Sequence, residues 1–82
     1  MNLSVLTPEQ EIFSGTITSV KVPGVGGQFE ILSNHAPLVS SLDKGEVRIK
    51  TTEGKIEKFE IAGGFIEVLK NEVSLLVQRI VE

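Results

Sequence analysis

Few residues in this chain could carry out chemistry. His35 is the single histidine and Asp43 the single aspartate, so a nucleophile, base and orienter triad would have to be built from His35 and glutamates. General acid–base catalysis needs convergent groups with tuned pKa values. Glu57, Glu60 and Glu67 instead alternate outward and read as solvated faces that discourage edge-to-edge pairing of sheets. One histidine among scattered carboxylates has no metal-ligand spacing. Without cysteine there is no disulfide, thiolate metal site or thiol nucleophile, which fits a reducing compartment. No catalytic residue, cofactor or metal is assigned.

Two motifs imitate chemical sites. Pro23, Gly24, Val25, Gly26, Gly27 has the glycine density of a phosphate loop, but no Lys followed by Ser or Thr comes after it and no helix opens there. It reads as a tight strand connection with a bare surface on which another protein could rest. On that reading, Gly27→Val is expected to weaken assembly more than folding. Lys44, beside Asp43 and before Gly45, is placed like the modified lysine at the hairpin tip of lipoyl or biotinyl carrier modules, the alternative reading. The flanking strands lack two-fold repetition, and Asp-Lys-Gly is ordinary turn chemistry with glycine at a left-handed position.

The most informative run is Ile31, Leu32, Ser33, Asn34, His35, Ala36, Pro37, Leu38. Asn34 and His35 tolerate turn conformations, and Pro37 pushes Ala36 toward extended geometry. Taken alone, His35 reads as a structural histidine bonded to nearby backbone.

The chain around these residues reads as strands. Val47, Ile49 and Thr51 alternate with Glu46, Arg48 and Lys50, as in a half-buried strand. Lys55 to Ile61 repeats the pattern after the turn residues Thr52, Glu53 and Gly54, predicting a β-hairpin. Ser14 to Val22 is a third strand, with Ile17 out of step with Val20 and Val22, which predicts a bulge or two-sided burial. Leu3 to Leu6, Phe65 to Leu69 and Val73 to Val77 complete the set, Asn71 turning the chain between the last two. Thr7, Pro8, Glu9, Gln10 has the form of a helix start, but Gly15 follows too soon, so a single turn between strands is expected. Many short strands at close spacing predict an all-β sandwich or barrel.

Composition bounds the rest. Eighty-two residues make one domain, residues 1–82, and a chain this short buries only ~60% of its unfolded surface. With 40% hydrophobic and 23% charged residues it should fold, and its aromatics are four Phe with no Tyr or Trp, which makes support from a partner surface an expectation. Eight Lys and Arg against eleven Asp and Glu, net −3, with no phosphate-neutralising cluster, argue against nucleic acid. Apolar runs are far shorter than the ~18 residues that span a bilayer, and the N-terminus lacks a signal-peptide pattern, so a soluble, unprocessed chain is expected.

In order along the chain stand Phe13-Ser14-Gly15, the glycine-rich stretch to Gly27, Asn34-His35-Ala36-Pro37-Leu38, the turn Leu42 to Gly45, and Gly63-Gly64-Phe65 before Glu67-Val68. In this ordered set the chain resembles, over its whole length, the epsilon subunit of bacterial and chloroplast F-type ATP synthase, known as delta in mitochondria. The resemblance implies a flattened sandwich of about ten short strands in two sheets. It also implies a noncatalytic subunit at the foot of the central stalk, clamped to the gamma subunit and resting on the polar loops of the membrane rotor ring (c-ring). There it would help pass torque from proton-driven rotation to ATP synthesis, without a cofactor or small-molecule substrate. The implied location is peripheral, on the cytoplasmic face of the bacterial inner membrane, with the chloroplast thylakoid second.

By the same resemblance Gln28, Phe29 and Glu30 face the ring, and Thr7, His35 and Ser40 lie toward gamma. Two departures stand out. Glu30 occupies a position where the family usually has glycine, which adds bulk and charge near the implied ring contact. The sequence also stops at Glu82, where the family usually continues into a helical hairpin that binds ATP or blocks rotation, so that regulation is not carried over.

Overall fold

The computed structural model describes residues 1–81. Nine strands are present among the described residues: β1 (Asn2–Leu6), β2 (Glu11–Gly24), β3 (Gly27–Leu32), β4 (Leu38–Leu42), β5 (Gly45–Thr51), β6 (Ile56–Ile61), β7 (Gly64–Leu69), β8 (Glu72–Val77) and β9 (Ile80–Val81). No helix occurs among the described residues.

The fourteen residues of β2 organise the rest. Fully extended at about 3.3 Å per residue they would span ~46 Å, yet the domain is only 27 Å in its longest dimension. The strand must therefore bend, and it serves two layers. Its first half pairs with β1, which runs parallel to β8; β8, β7 and β4 follow as antiparallel neighbours. Its second half lies between β3 and β5, and β6 and β9 extend that layer. With β2 counted once in each layer there are ten strand segments in two sheets, as expected for the sandwich, though hydrogen bonds join them into one continuous network.

The bulge expected from the phase slip at Ile17 is present. Ile17 pairs with Thr51 and Ser19 with Lys50, leaving Thr18 as the extra residue. A residue added to one strand shifts the side-chain phase by one, so Ile17, Val20 and Val22 all reach the core.

That core is aliphatic: Leu3, Val5, Ile17, Val20, Val22, Ile31, Leu42, Val47, Ile49, Ile61, Ile66, Val68, Val73, Leu75 and Val77. Phe13, Phe29 and Phe59 pack only at its margins. Thr51 is its one buried polar side chain among the described residues, and its Oγ1 accepts from the Lys55 amide at 3.1 Å. That bond closes the expected hairpin between β5 and β6.

The β7–β8 turn ties the start of β1 to the β3–β4 connection. Lys70 and Asn71 both have positive φ, 50° and 65°, as a tight two-residue hairpin requires. The Asn71 side-chain oxygen accepts from the Asn34 amide at 2.8 Å, and its carbonyl accepts from the Asn2 amide at 3.1 Å. Asn71→Ala removes the side-chain bond and puts a residue poorly suited to left-handed geometry in the turn. The expected loss is about 2 kcal/mol, read from the urea midpoint; a loss below ~0.5 kcal/mol would mean that the turn does not depend on this side chain.

Candidate partner interface

The groups with most chemical potential are kept apart. His35 lies in the β3–β4 connection and Asp43 just after β4, so the five residues of β4 separate them. The Nδ1 of His35 is 2.7 Å from the Ala36 carbonyl, a bond it makes by donating, and the His35 amide donates to the Leu32 carbonyl at 3.2 Å. This is the backbone-bonded structural histidine. Among the described residues no three His, Cys, Asp or Glu side chains gather as metal ligands would.

Lys44 is exposed, and its amide donates to Asp43 Oδ1 at 2.8 Å. Its setting differs from the hairpin tip of a carrier module. β4 pairs with β7 and, at one residue, β2, whereas β5 pairs with β2 and β6. The Asp43–Gly45 turn therefore crosses from one sheet to the other. Gly45 has a positive φ of 159°, at the edge of the range that favours glycine. Glycine is needed there for that backbone and because a Cβ would come 2.7 Å from Pro23 Cβ.

Gln28, Phe29 and Glu30 are consecutive residues of β3, whose strand partner is β2. Gln28 and Glu30 point to solvent, while Phe29 turns inward against the core, its ring occupying the space a Gly24 Cβ would need. Glu30 stands opposite Lys21 on the outer face of its sheet, rather than at the hairpin tip. The tip itself is Val25 and Gly26, closed by the Gly24–Gly27 pair, and Val25 is largely exposed. Gly27 has a φ of +133°, so the expectation for Gly27→Val needs correction: valine there strains the backbone and acts on folding. Gly26 has open space where a Cβ would stand and no left-handed φ, so it is the residue that tests the bare surface.

Thr7, Ser40 and His35 do not form one cluster. Thr7 holds the β1–β2 turn, its Oγ1 accepting from the Gln10 amide at 3.2 Å and donating to the Gln10 carbonyl; this is the single turn expected there. His35 stands near the opposite end of the same sheet, next to Asn34 and its bond to Asn71. Ser40 lies between them on β4, half-buried, its hydroxyl donating to the Ser41 carbonyl at 3.2 Å. Only a partner running the length of this sheet would meet all three.

That sheet also carries an apolar outer face. Phe65 on β7 and Leu76 on β8 are cross-strand neighbours, with Leu6 of β1 beyond Leu76 and Ser41 of β4 beyond Phe65. Phe65 and Leu76 are each nearly half exposed; Val39 and Leu69 lie on the same face, with Glu67 and Ser74 standing between Leu69 and the Phe65–Leu76 pair. At the end of the sheet a groove of about 670 Å³ is lined by Leu6, Thr7, Pro8, Phe65 and Leu76, among others. This face does not stand out in the sequence, although β7 reads Gly-Phe-Ile-Glu-Val-Leu, apolar in both phases, as strands buried on two sides do.

Exposed apolar surface of this kind is used for contact with other molecules, and it is carried here by an all-β sandwich domain. The chain belongs to the ATP synthase delta/epsilon chain β-sandwich domain family, whose model matches residues 1–82. It is 42% identical over 78 residues to the ATP synthase epsilon chain of Chlorobaculum tepidum, covering 95% of this chain and 89% of that one. To the ATP synthase epsilon chain of Leptospira borgpetersenii it is 46% identical over 76 residues, covering 93% of this chain but 59% of the relative. In fold it is similar to a chain of the Euglena gracilis mitochondrial ATP synthase OSCP/F1/c-ring structure, with a TM-score of 0.87 at 20% identity, covering 96% of this chain and 51% of that one. A chain of the Tetrahymena thermophila central stalk and c-ring structure gives 0.84 at 19% identity, covering 100% and 66%.

Proposed function

We propose that this chain is a noncatalytic subunit of the central stalk of an F-type ATP synthase, joining the membrane rotor ring to the gamma subunit at a membrane surface. The observation that carries this reading is the whole-chain family match, and the outer surface described above gives it a physical basis. Torque transfer needs an element that does not deform under load, and a close-packed aliphatic core shared by two sheets is such an element.

The apolar face around Phe65 and Leu76 is the surface we assign to gamma, with Thr7 at its border and His35 at its far end, while Ser40, opposite the buried Ile66, meets it only from the β4 margin of the same sheet. The hairpin tip at Val25 and Gly26, with Gln28 and Glu30 beside it, is the surface assigned to the polar loops of the ring. In this reading Glu30 contributes from the flank of the contact, paired in register with Lys21.

Co-purification tests the assignment. Tagged protein drawn from gently solubilised membranes is expected to bring gamma and ring subunits with it; recovery of neither would overturn the reading. Phe65→Ser with Leu76→Ser is expected to lower gamma recovery at least ~10-fold, a loss of ~1.4 kcal/mol in binding, with an unchanged circular dichroism spectrum. Gly26→Val is expected to leave folding intact and to reduce recovery of the ring alone.

A further inference from the structure

The outer face of the second sheet is charged in bands. Lys21 lies directly opposite Arg48, and Arg48 opposite Lys58, so three cations stand side by side across β2, β5 and β6, with Glu30 closing the row at the β3 edge. Lys50 is on the same face two residues from Arg48, and lines with Ser19, Lys21, Arg48 and Ile56 a groove of about 270 Å³. In the other direction along the strands, Glu46 faces Glu60. At a rise of about 3.3 Å per residue the basic and acidic bands are ~7 Å apart.

Four of the chain's eight Lys and Arg are therefore gathered on one face of a net acidic protein. Like charges directly opposite one another destabilise a sheet, and opposite charges stabilise it. Arg48 facing Lys58 and Glu46 facing Glu60 give up two attractions that an exchange between bands would have supplied. The side chains of both pairs are exposed, so core packing does not require the arrangement.

Such banding fits an outside partner that carries the complementary pattern. A uniformly anionic surface, such as a bilayer or nucleic acid, would be attracted by one band and repelled by Glu30, Glu46 and Glu60. A protein with an acidic stripe beside a basic one satisfies both bands. Leu32 and Ile56, both exposed, bracket the adjoining row of Ser19 and Lys50 and offer it apolar contact.

We infer that this face docks a protein segment bearing an acidic stripe flanked by a basic one, on the side of the sandwich away from Phe65. The inference concerns a different surface from the gamma assignment and stands independently of the stalk reading.

The test uses a synthetic helical peptide of about twenty residues, ~30 Å long, enough to cross the 27 Å domain. It has glutamates along one face and lysines along the next, and is titrated into isotope-labelled protein at low salt. Amide shifts are expected to concentrate at Lys21, Arg48, Lys50, Lys58 and Glu60, and to fade with added salt. A scrambled peptide of the same composition is expected to bind at least ~10-fold more weakly. Equal shifts with the scrambled peptide, or with phosphatidylcholine–phosphatidylglycerol vesicles, would overturn the inference, as would the absence of shifts on this face. Arg48→Glu separates binding from folding, because glutamate there faces Lys21 and Lys58. It is expected to raise the urea midpoint while abolishing the peptide shifts; a lowered midpoint would show that the row serves the fold, shifts that persist would show that the peptide binds elsewhere, and either would overturn the inference.

Discussion

Gly64→Ala is expected to destabilise the domain by about 3 kcal/mol, although it adds a single methyl group. A Cβ at Gly64 would lie 2.4 Å from the Leu76 carbonyl oxygen and 3.0 Å from the Val77 Cα. Both obstacles are backbone of β8, which pairs with β7 at that point through Gly64 and Val77. A flexible side chain could swing aside at little cost, but here two hydrogen-bonded strands must separate. At the general scale of roughly 0.05–0.15 kcal/mol per residue, such a loss removes a quarter or more of the stability of a chain this size. Urea unfolding followed by circular dichroism reads it directly. Gly26→Ala serves as the control, because nothing lies within 4 Å of its Cβ position; it is expected to change stability by less than ~1 kcal/mol. Equal effects at the two glycines would mean that β7 and β8 are less closely apposed than these distances require.

Ile49→Ala is expected to cost about 2–5 kcal/mol, the range for emptying a well-packed core position. Ile49 is fully buried in the middle of β5, opposite Val20 of the shared strand β2. It sits where the second sheet is anchored to the strand that serves both layers, so the cavity opens where the surroundings are least free to collapse. Phe65→Ala removes a larger side chain but one that is nearly half exposed, and is expected to cost less than ~1 kcal/mol. Denaturant midpoints for the two variants give the comparison. If Phe65→Ala proved the costlier, the aromatic would belong to the core and its face would be unavailable to a partner.

The two results bear on function through stiffness. Where one long strand belongs to both sheets, damage at Gly64 or Ile49 softens the whole slab, while Phe65→Ser with Leu76→Ser removes contact without softening it. A coupling element should lose performance by either route, and only the first should also lower its unfolding midpoint.

Much of the fold is legible because the side-chain period of two is imposed by strand geometry and survives in the order of residues. Val47, Ile49 and Thr51 announce β5, and the slip between Ile17 and Val20 announces the bulge. β3 and β4 do not stand out as strands: Gln28 to Leu32 and Leu38 to Leu42 are short and broken by glycine, serine and proline neighbours, so turn signals mask them. Two-residue β9 lies below what any periodicity can reveal. The hairpin tip, the His35 turn and the Lys44 turn are visible as turns, but their separation is not, since the distance between turns depends on which strands pair.

The apolar face shows the same boundary. Phe65, Leu69 and Leu76 read as ordinary strand residues because a strand with apolar residues in both phases does not say which phase meets the core. The charged bands are equally silent: Lys21, Arg48 and Lys58 are far apart in sequence, and only the register of β2, β5 and β6 sets them in a row.

By itself the amino-acid order determined strand character, turn positions, the lack of a chemical constellation and, through its ordered motifs, the family. Those are properties of local spacing, and local spacing is what a linear chain stores. Tertiary structure decided that β1 runs parallel to β8, that β2 bends to join both sheets, and which apolar and charged residues share an outer face. These depend on pairing between distant segments, where many registers satisfy the same alternation and only the simultaneous burial of every inward side chain selects one.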